Sequence, residues 1–339
     1  MRIAALGRTH WLHDSIRAVA EAGHEVVLIA TAPAAPEYRV TERDFERLAG
    51  SIGCDFLVAK SLDSEKELAR LRAVKADVAI SVNWPTVIGS GARSSFRHGI
   101  VNAHAGDLPR FRGNACPNWA ILSGEDKIVL TLHKMASGID DGPVLLKWPF
   151  PLRPEKTYIG EVYEFLTSAI PQAFRQVITG LEDGSIVGAE QPEEATESLR
   201  CFPRLPVDGE IDWTASAADI SRLVRASAEP FDGAYTFLGD QKLTIWRANA
   251  SAVGYPYLGV PGQVIGVNSE SGRIKVLSGK DALEIEVVSL GNGRQSAASV
   301  VRSTRIRLGL VPSERIAALE RKLELLEMKI ASVLRDPQS

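Results

Sequence analysis

From Arg2 to about Leu181 the chain alternates short runs rich in β-branched residues with amphipathic stretches, and this alternation restricts the fold more than any other feature. Arg2–Leu6 is a short apolar run that stops at Gly7. Leu12, Ile16, Val19 and Ala20 then recur at helical spacing up to Gly23, a residue suited to a helix C-cap. Glu25–Ala30 (EVVLIA), Asp77–Val82 (DVAISV), Gly99–Asn102 and Ile128–Met135 (IVLTLHKM) read as buried strands. Helical stretches fall around 42–50 and 63–74, and a long helix runs from about Thr157 to Leu181. Strands separated by helices pair in parallel through crossovers, with helices covering both faces of the sheet. The expected class is α/β, with a Rossmann-like parallel sheet over residues 1–190.

The rest of the 339 residues has a different character, as a length beyond one ordinary core allows. Glu190–Ser198 (EQPEEATES) is polar and acidic, and Pro203 and Pro206 follow, so 191–206 reads as an interdomain linker. After a helical segment at Ala217–Ala226 come short strands set off by glycine turns: Ala234–Phe237, Lys242–Arg247, Gly262–Val267, Arg273–Leu277 and Leu283–Leu290. That spacing predicts a small β-barrel, OB-like domain over 207–311. In the last segment, 312–336, Ile316, Leu319, Leu323, Leu326, Ile330 and Val333 repeat at intervals of 3, 4, 3, 4 and 3. This heptad seam suits either a coiled coil, hence a homodimer, or a terminal helix lying on its own domain.

Several classes are excluded by what is missing. Thirty-nine Lys and Arg against forty-two Asp and Glu leave a net charge of −3, no excess for gripping a polyanion. Three scattered cysteines, Cys54, Cys116 and Cys201, make neither a disulfide framework nor a zinc ribbon and fit a reducing compartment. No signal-peptide pattern opens the sequence and no apolar run is long enough to span a bilayer, so the expected location is the cytoplasm, away from membranes. The first turn, Gly7-Arg8-Thr9-His10, is not a dinucleotide fingerprint, and Walker A, H-E-x-x-H and G-x-S-x-G sequences are absent. His10 and His13 near that turn suit either a site or the surface.

The informative stretch is Val101–Gly113, VNAHAGDLPRFRG. Asn102 ends a strand and His104 follows two residues later, so both side chains point to one side of an extended chain. In an open α/β sheet, ligands bind outside the carboxyl ends of the strands. The next strand leads into Gly138-Ile139-Asp140-Asp141-Gly142, and if it neighbours the first it delivers a carboxylate to the same crevice. An amide donor, an imidazole and a carboxylate suit acyl transfer to an amine: the amide stabilises an oxyanion, the imidazole takes the amine proton, and the carboxylate orients the imidazole. No metal is needed. A capping Asn, a surface His and a turn Asp would read the same way on spacing alone.

Asn102-Ala103-His104, Leu108-Pro109-Arg110-Phe111-Arg112-Gly113 and Gly138-Ile139-Asp140 resemble the N-x-H, L-P-x-x-R-G and G-x-D signature of the folate-dependent formyltransferases. Cys201-Phe202-Pro203-Arg204, Gly209-Glu210-Ile211-Asp212-Trp213 and Pro230-Phe231-Asp232-Gly233-Ala234-Tyr235 resemble that family's domain junction and the start of its C-terminal domain. The resemblance covers about residues 1–310. It implies 10-formyltetrahydrofolate as co-substrate and a primary amine as acceptor, with Asn102 polarising the formyl oxygen, His104 as base and Asp140 orienting His104. It also implies folate contacts from the loop Asn83–Ile88, notably Trp84 and Val87, and from Ile139 and Asp141, although Trp84 equally suits a core position.

Within the family the acceptor differs by branch. The glycinamide ribonucleotide branch is single-domain and carries a phosphate loop at the first turn that this chain lacks. The methionyl-tRNA branch must grip tRNA, yet residues 205–310 hold eleven basic and eleven acidic residues, and Ala32–Arg39 lacks that branch's basic, glycine-rich loop. Asn118-Trp119 and Thr131-Leu132-His133-Lys134-Met135 look more like the sugar-nucleotide N-formyltransferases, with Arg110, Arg112 and Asn118 as candidate substrate contacts. The expected acceptor is a nucleotide-linked amino sugar destined for surface polysaccharide, and nucleic acid is disfavoured. Methionyl-tRNA formylation, 10-formyltetrahydrofolate hydrolysis and a non-catalytic folate- or nucleotide-binding module stand as alternatives.

Overall fold

The structure, a computed structural model, describes residues 1–36, 38–192, 198–291, 293–309 and 312–335. It divides into two units, Met1–Arg204 and Leu205–Ser339. In chain order the first holds β1 (Arg2–Gly7), α1 (Thr9–Glu21), β2 (Glu25–Thr31), α2 (Glu42–Ile52), β3 (Asp55–Val58), α3 (Glu65–Ala73), β4 (Val78–Val82) and α4 (Ser90–Arg93). It continues with β5 (Ile100–His104), β6 (Arg112–Gly113), α5 (Cys116–Ser123), β7 (Lys127–Lys134), β8 (Val144–Pro151), α6 (Ile159–Glu182) and β9 (Arg200–Cys201).

Seven strands form one sheet in the order β3-β2-β1-β4-β5-β7-β8. The first five are parallel, but β7 pairs antiparallel with β5 and β8 antiparallel with β7. The sheet is therefore mixed, with its first five strands in the parallel β-α-β arrangement that the alternation predicts and its last two antiparallel. The physical reason lies in the register: His104 faces Thr131, so the start of β7 projects beyond the carboxyl end of β5. The connection from β5 stays at that edge, and the next strand can only run back. β8 escapes a sequence reading because Pro149 and Pro151 interrupt it, which an edge strand tolerates.

Helices cover both faces. Leu12, Ile16 and Val19 of α1 are buried on the side shared with α6, where Ile170, Phe174 and Val177 are equally enclosed. On the other face Leu68 and Leu71 of α3 and Ala92 of α4 join Ala4, Leu6, Leu28, Ala79 and Ile100 of the strands in one apolar cluster. The strand order reverses between β1 and β4, the place where such sheets open a crevice. Gly7 closes β1 there at φ +145°, and a Cβ on it would lie 1.9 Å from the carbonyl oxygen of Val82. Only glycine lets the ends of β1 and β4 approach so closely.

β9 pairs in parallel with β6, so Arg200–Cys201 is fastened to the first unit although it lies within the stretch read as linker. Residues 193–197 of that stretch fall outside the described residues. The second unit holds α7 (Ala217–Ser227), β10 (Ala234–Leu238), β11 (Gln241–Ser251), β12 (Val264–Asn268), β13 (Arg273–Leu277), β14 (Ala282–Leu290), β15 (Gln295–Ser296), α8 (Ala297–Val300) and α9 (Pro312–Arg335). Its antiparallel sheet runs β10-β11-β14-β13-β12, with β15 on β14. Residues 306–309 bond to both edges, Leu308 bridging to Leu238 and Arg307 to Gln263, and so close the sheet into a barrel without open edges. Ile220 and Val224 of α7 are buried, and α7 packs on β11 and β14. Among the described residues no helix is long and apolar enough to cross a membrane.

Candidate active site

β5 carries Asn102 and His104 on one side of the strand, and the antiparallel register sets His133 of β7 directly opposite Asn102. Cross-strand neighbours share a face, and the Asn102 amide nitrogen lies 3.3 Å from His133 Nε2. His133 Nδ1 is 2.9 Å from the Lys134 carbonyl oxygen, which can only accept, so this nitrogen carries a proton. In the neutral ring Nε2 is then an acceptor and takes one amide N–H of Asn102. The amide is held nitrogen-inward, with its second N–H left for another partner.

His104 is fixed from the opposite direction. Its Nε2 lies 2.6 Å from the Phe111 carbonyl oxygen in a buried contact, so Nε2–H donates and Nδ1 of the neutral ring is the lone pair. Phe111 adopts a left-handed φ of 56°, uncommon for an aromatic residue. A Cβ on Gly106 would stand 2.3 Å from the Phe111 oxygen and 2.5 Å from His104 Nε2, so any side chain there would push the pair apart. The Gly106 carbonyl accepts from the Thr131 hydroxyl at 2.7 Å, which anchors the loop to β7. The ring's tautomer is thus set by a backbone carbonyl, whereas the G-x-D resemblance assigns the orienting role to Asp140.

Asp140 stands on the lone-pair side, with Oδ2 3.5 Å from His104 Nδ1 and Oδ1 3.4 Å from His133 Nε2. Because β7 runs away from the carboxyl edge, the turn after it has to double back to bring this side chain home. Gln191 clamps that turn, donating to the carbonyl oxygens of Asp140 and Gly142, both at 2.8 Å. The Gly113 N–H donates to Asp140 Oδ2 at 2.8 Å. Burial alone would raise the Asp140 pKa, but the neighbouring imidazoles of His133 and His104 and the Gly113 N–H hold it down at about 2. Burial lowers the His104 pKa from the usual 6.5, with Asp140 pulling the other way. At neutral pH the site therefore pairs a carboxylate with an uncharged imidazole whose free nitrogen faces that carboxylate.

The sequence family described as formyl transferase matches residues 1–178, and the formyl transferase C-terminal domain matches residues 206–305. The chain belongs to the formyl transferase family. It is 28% identical over 314 residues to a methionyl-tRNA formyltransferase of Agathobacter rectalis, covering 91% of this chain and 98% of that one. A methionyl-tRNA formyltransferase of Nitrosomonas europaea is likewise 28% identical, covering 88% and 92%. Among solved structures, the sugar 3N-formyl transferase WlaRD, crystallised with dTDP and 5-N-formyl-THF, gives a TM-score of 0.62 at 13% identity, covering 86% of this chain and 98% of that one. HypX from Aquifex aeolicus in complex with tetrahydrofolic acid gives 0.56 at 18% identity. It covers 89% of this chain but 47% of its own, so the chain spans about half of HypX. At these identities the structural likeness is one of fold.

The other residues singled out in this formyl transferase are found in different states. Asp141 follows Asp140, and its Oδ1 is buried without a hydrogen-bond partner among the described residues. Ile139 and Val87 are exposed. Trp84 is partly buried against the apolar cluster under α3 and donates from Nε1 to the Thr86 hydroxyl at 3.0 Å. Arg110 is turned to Glu125 at 2.8 Å and lines a cavity of about 470 Å³ with Asp107, Lys147 and Ser198. Arg112 donates to the Gln191 side chain at 2.7 Å, and Asn118 is buried in α5. His10 reaches Thr167 of α6 at 3.2 Å, and His13 lies beside Asp14, so neither joins the cluster. Among the described residues no group of three or more His, Cys, Asp or Glu could hold a metal. His133 is the member that sequence spacing missed.

Proposed function

We propose that the chain transfers a formyl group from 10-formyltetrahydrofolate to the primary amine of a nucleotide-linked amino sugar. The observation that carries the chemistry is the convergence of Asn102, His104 and Asp140 with the tautomer of His104 already set. The co-substrate supplies a formyl group on nitrogen. Asn102 donates its second amide N–H to the formyl oxygen as charge gathers there, a contribution of about 3–4 kcal/mol for one such donor. His104 takes the amine proton on Nδ1 as the amine attacks the formyl carbon, and the imidazolium so formed lies against ionised Asp140. When the tetrahedral intermediate collapses, the C–N10 bond breaks and the imidazolium returns that proton to N10 of the departing tetrahydrofolate. A positioned base of this kind is worth ~10²–10⁴ in rate.

Asp141 supports a folate contact, since a buried carboxylate oxygen lacking a partner among the described residues suits the N–H groups of a pterin. Val87, Ile139 and Trp84 provide apolar surface for the ring. For the acceptor, Arg110 and Arg112 would exchange a protein partner for a diphosphate, beside Asn118.

The sugar acceptor rests on the charge of the second unit. Its Arg222, Arg247, Arg273 and Arg294 each sit in an ion pair with Asp219, Glu229, Glu284 or Glu229 again, on top of an even count of acids and bases. Binding to tRNA draws on cations free to meet phosphates. Methionyl-tRNA is the second reading, favoured by the two relatives of that name that match nearly end to end. The test is a panel of UDP-, dTDP- and GDP-linked amino sugars with methionyl-tRNA alongside, each supplied with 10-formyltetrahydrofolate while tetrahydrofolate release is followed. A nucleotide sugar should turn over at least tenfold more efficiently than methionyl-tRNA; the reverse ranking overturns the acceptor. Equal release without any acceptor would point to a hydrolase.

A further inference from the structure

α9 is a 24-residue helix, about 36 Å long, and its apolar seam is bare. Ile316, Leu319, Leu323, Leu326 and Ile330 are each 49–58% exposed, so the helix does not lay this face on its own domain. The side chain of Val333, the last member of the seam, lies outside the described residues. With Ile316 at position a, the heptads place Leu323 and Ile330 at a, Leu319 and Leu326 at d, Glu320 and Glu327 at e, and Lys322 and Lys329 at g. The flanks therefore carry opposite signs, acid at e and base at g.

We infer that α9 is the dimerisation element of this chain, pairing with α9 of a second copy as a parallel two-stranded coiled coil. The charge pattern selects both partner and direction. In a parallel pair the g residue of one helix meets the e residue of the next heptad on the other, so Lys322 faces Glu327 of the partner twice by symmetry. In an antiparallel pair g meets g and e meets e, which sets lysines against lysines and glutamates against glutamates. Isoleucine at two of three a positions and leucine at the described d positions suits two strands over three or four. Within one chain Lys322 stands 3.7 Å from Asp240, both well exposed, and a surface pair of this kind contributes little and yields readily.

The test measures association of the full chain and is independent of catalysis. By analytical ultracentrifugation the wild type should be dimeric at tens of micromolar. The variants Glu320→Lys with Glu327→Lys, and Lys322→Glu with Lys329→Glu, alter only exposed charges and should each be monomeric. Mixed in equal amounts, they should restore a dimer of one chain of each kind. A wild type that stays monomeric, or variants that dimerise as well as the wild type, would overturn the assignment. Failure of the mixture to recover would overturn the flank-charge pairing on which the assignment rests.

Discussion

Replacing His104 with alanine is expected to lower turnover by at least ~10² while the protein still folds. The loss follows from geometry: Nδ1 is the one imidazole nitrogen of His104 free to accept a proton, since Nε2–H is committed to the Phe111 carbonyl. Without the ring, a proton leaving the amine has only water or the Asp140 carboxylate, both far weaker bases than an imidazole. The truncation also strips the Phe111 oxygen of its donor, and a buried carbonyl left unpaired costs about 1–3 kcal/mol. A domain of this size survives such a loss, so thermal unfolding of the variant should remain cooperative at a modestly lower Tm. Turnover within a few-fold of wild type would remove His104 from the chemistry.

Replacing Asn102 with alanine is expected to lower kcat by ~10²–10³ with KM little changed. The amide donates to an oxygen whose charge exists only near the transition state, so its removal leaves ground-state binding nearly intact. The Asn102 amide is pre-aimed by His133 Nε2 at 3.3 Å and costs no reorganisation when the charge appears. Steady-state kinetics separate the outcomes. A rise in KM with kcat unchanged would make Asn102 a binding residue and leave the oxyanion without its donor.

Asn102 and His104 were legible because their chemistry is written in a two-residue spacing, and a strand of period two projects both to one side. The strand carrying His133 was legible too, and so was the turn carrying Asp140. The direction of that strand was not, because apolar periodicity is the same for parallel and antiparallel partners. Once β7 is known to run back along β5, His133 falls opposite Asn102 by register alone. The Phe111 carbonyl and the Gly113 N–H that tune the imidazole and the carboxylate are backbone groups, which no residue type announces. Gln191 lies in a polar stretch whose composition signals a linker, yet its side chain fastens the turn that presents Asp140. The heptads of α9 were plain in the sequence, but whether they met their own domain depended on exposure, which only coordinates give.

His104 waits as a neutral base with its proton on Nε2 and its lone pair toward Asp140. Nitrogen-15 NMR of histidine-labelled protein, with His104→Ala to assign the signal, reads tautomer and titration together. The Nε2–H tautomer is expected at pH 7, with a midpoint below 6.5, because burial lowers the His104 pKa. Since Asp140 raises that pKa, Asp140→Asn should move the midpoint to still lower pH and carry the acid limb of turnover with it. An imidazolium at pH 7, an Nδ1–H tautomer, or a midpoint unmoved by Asp140→Asn would contradict this arrangement.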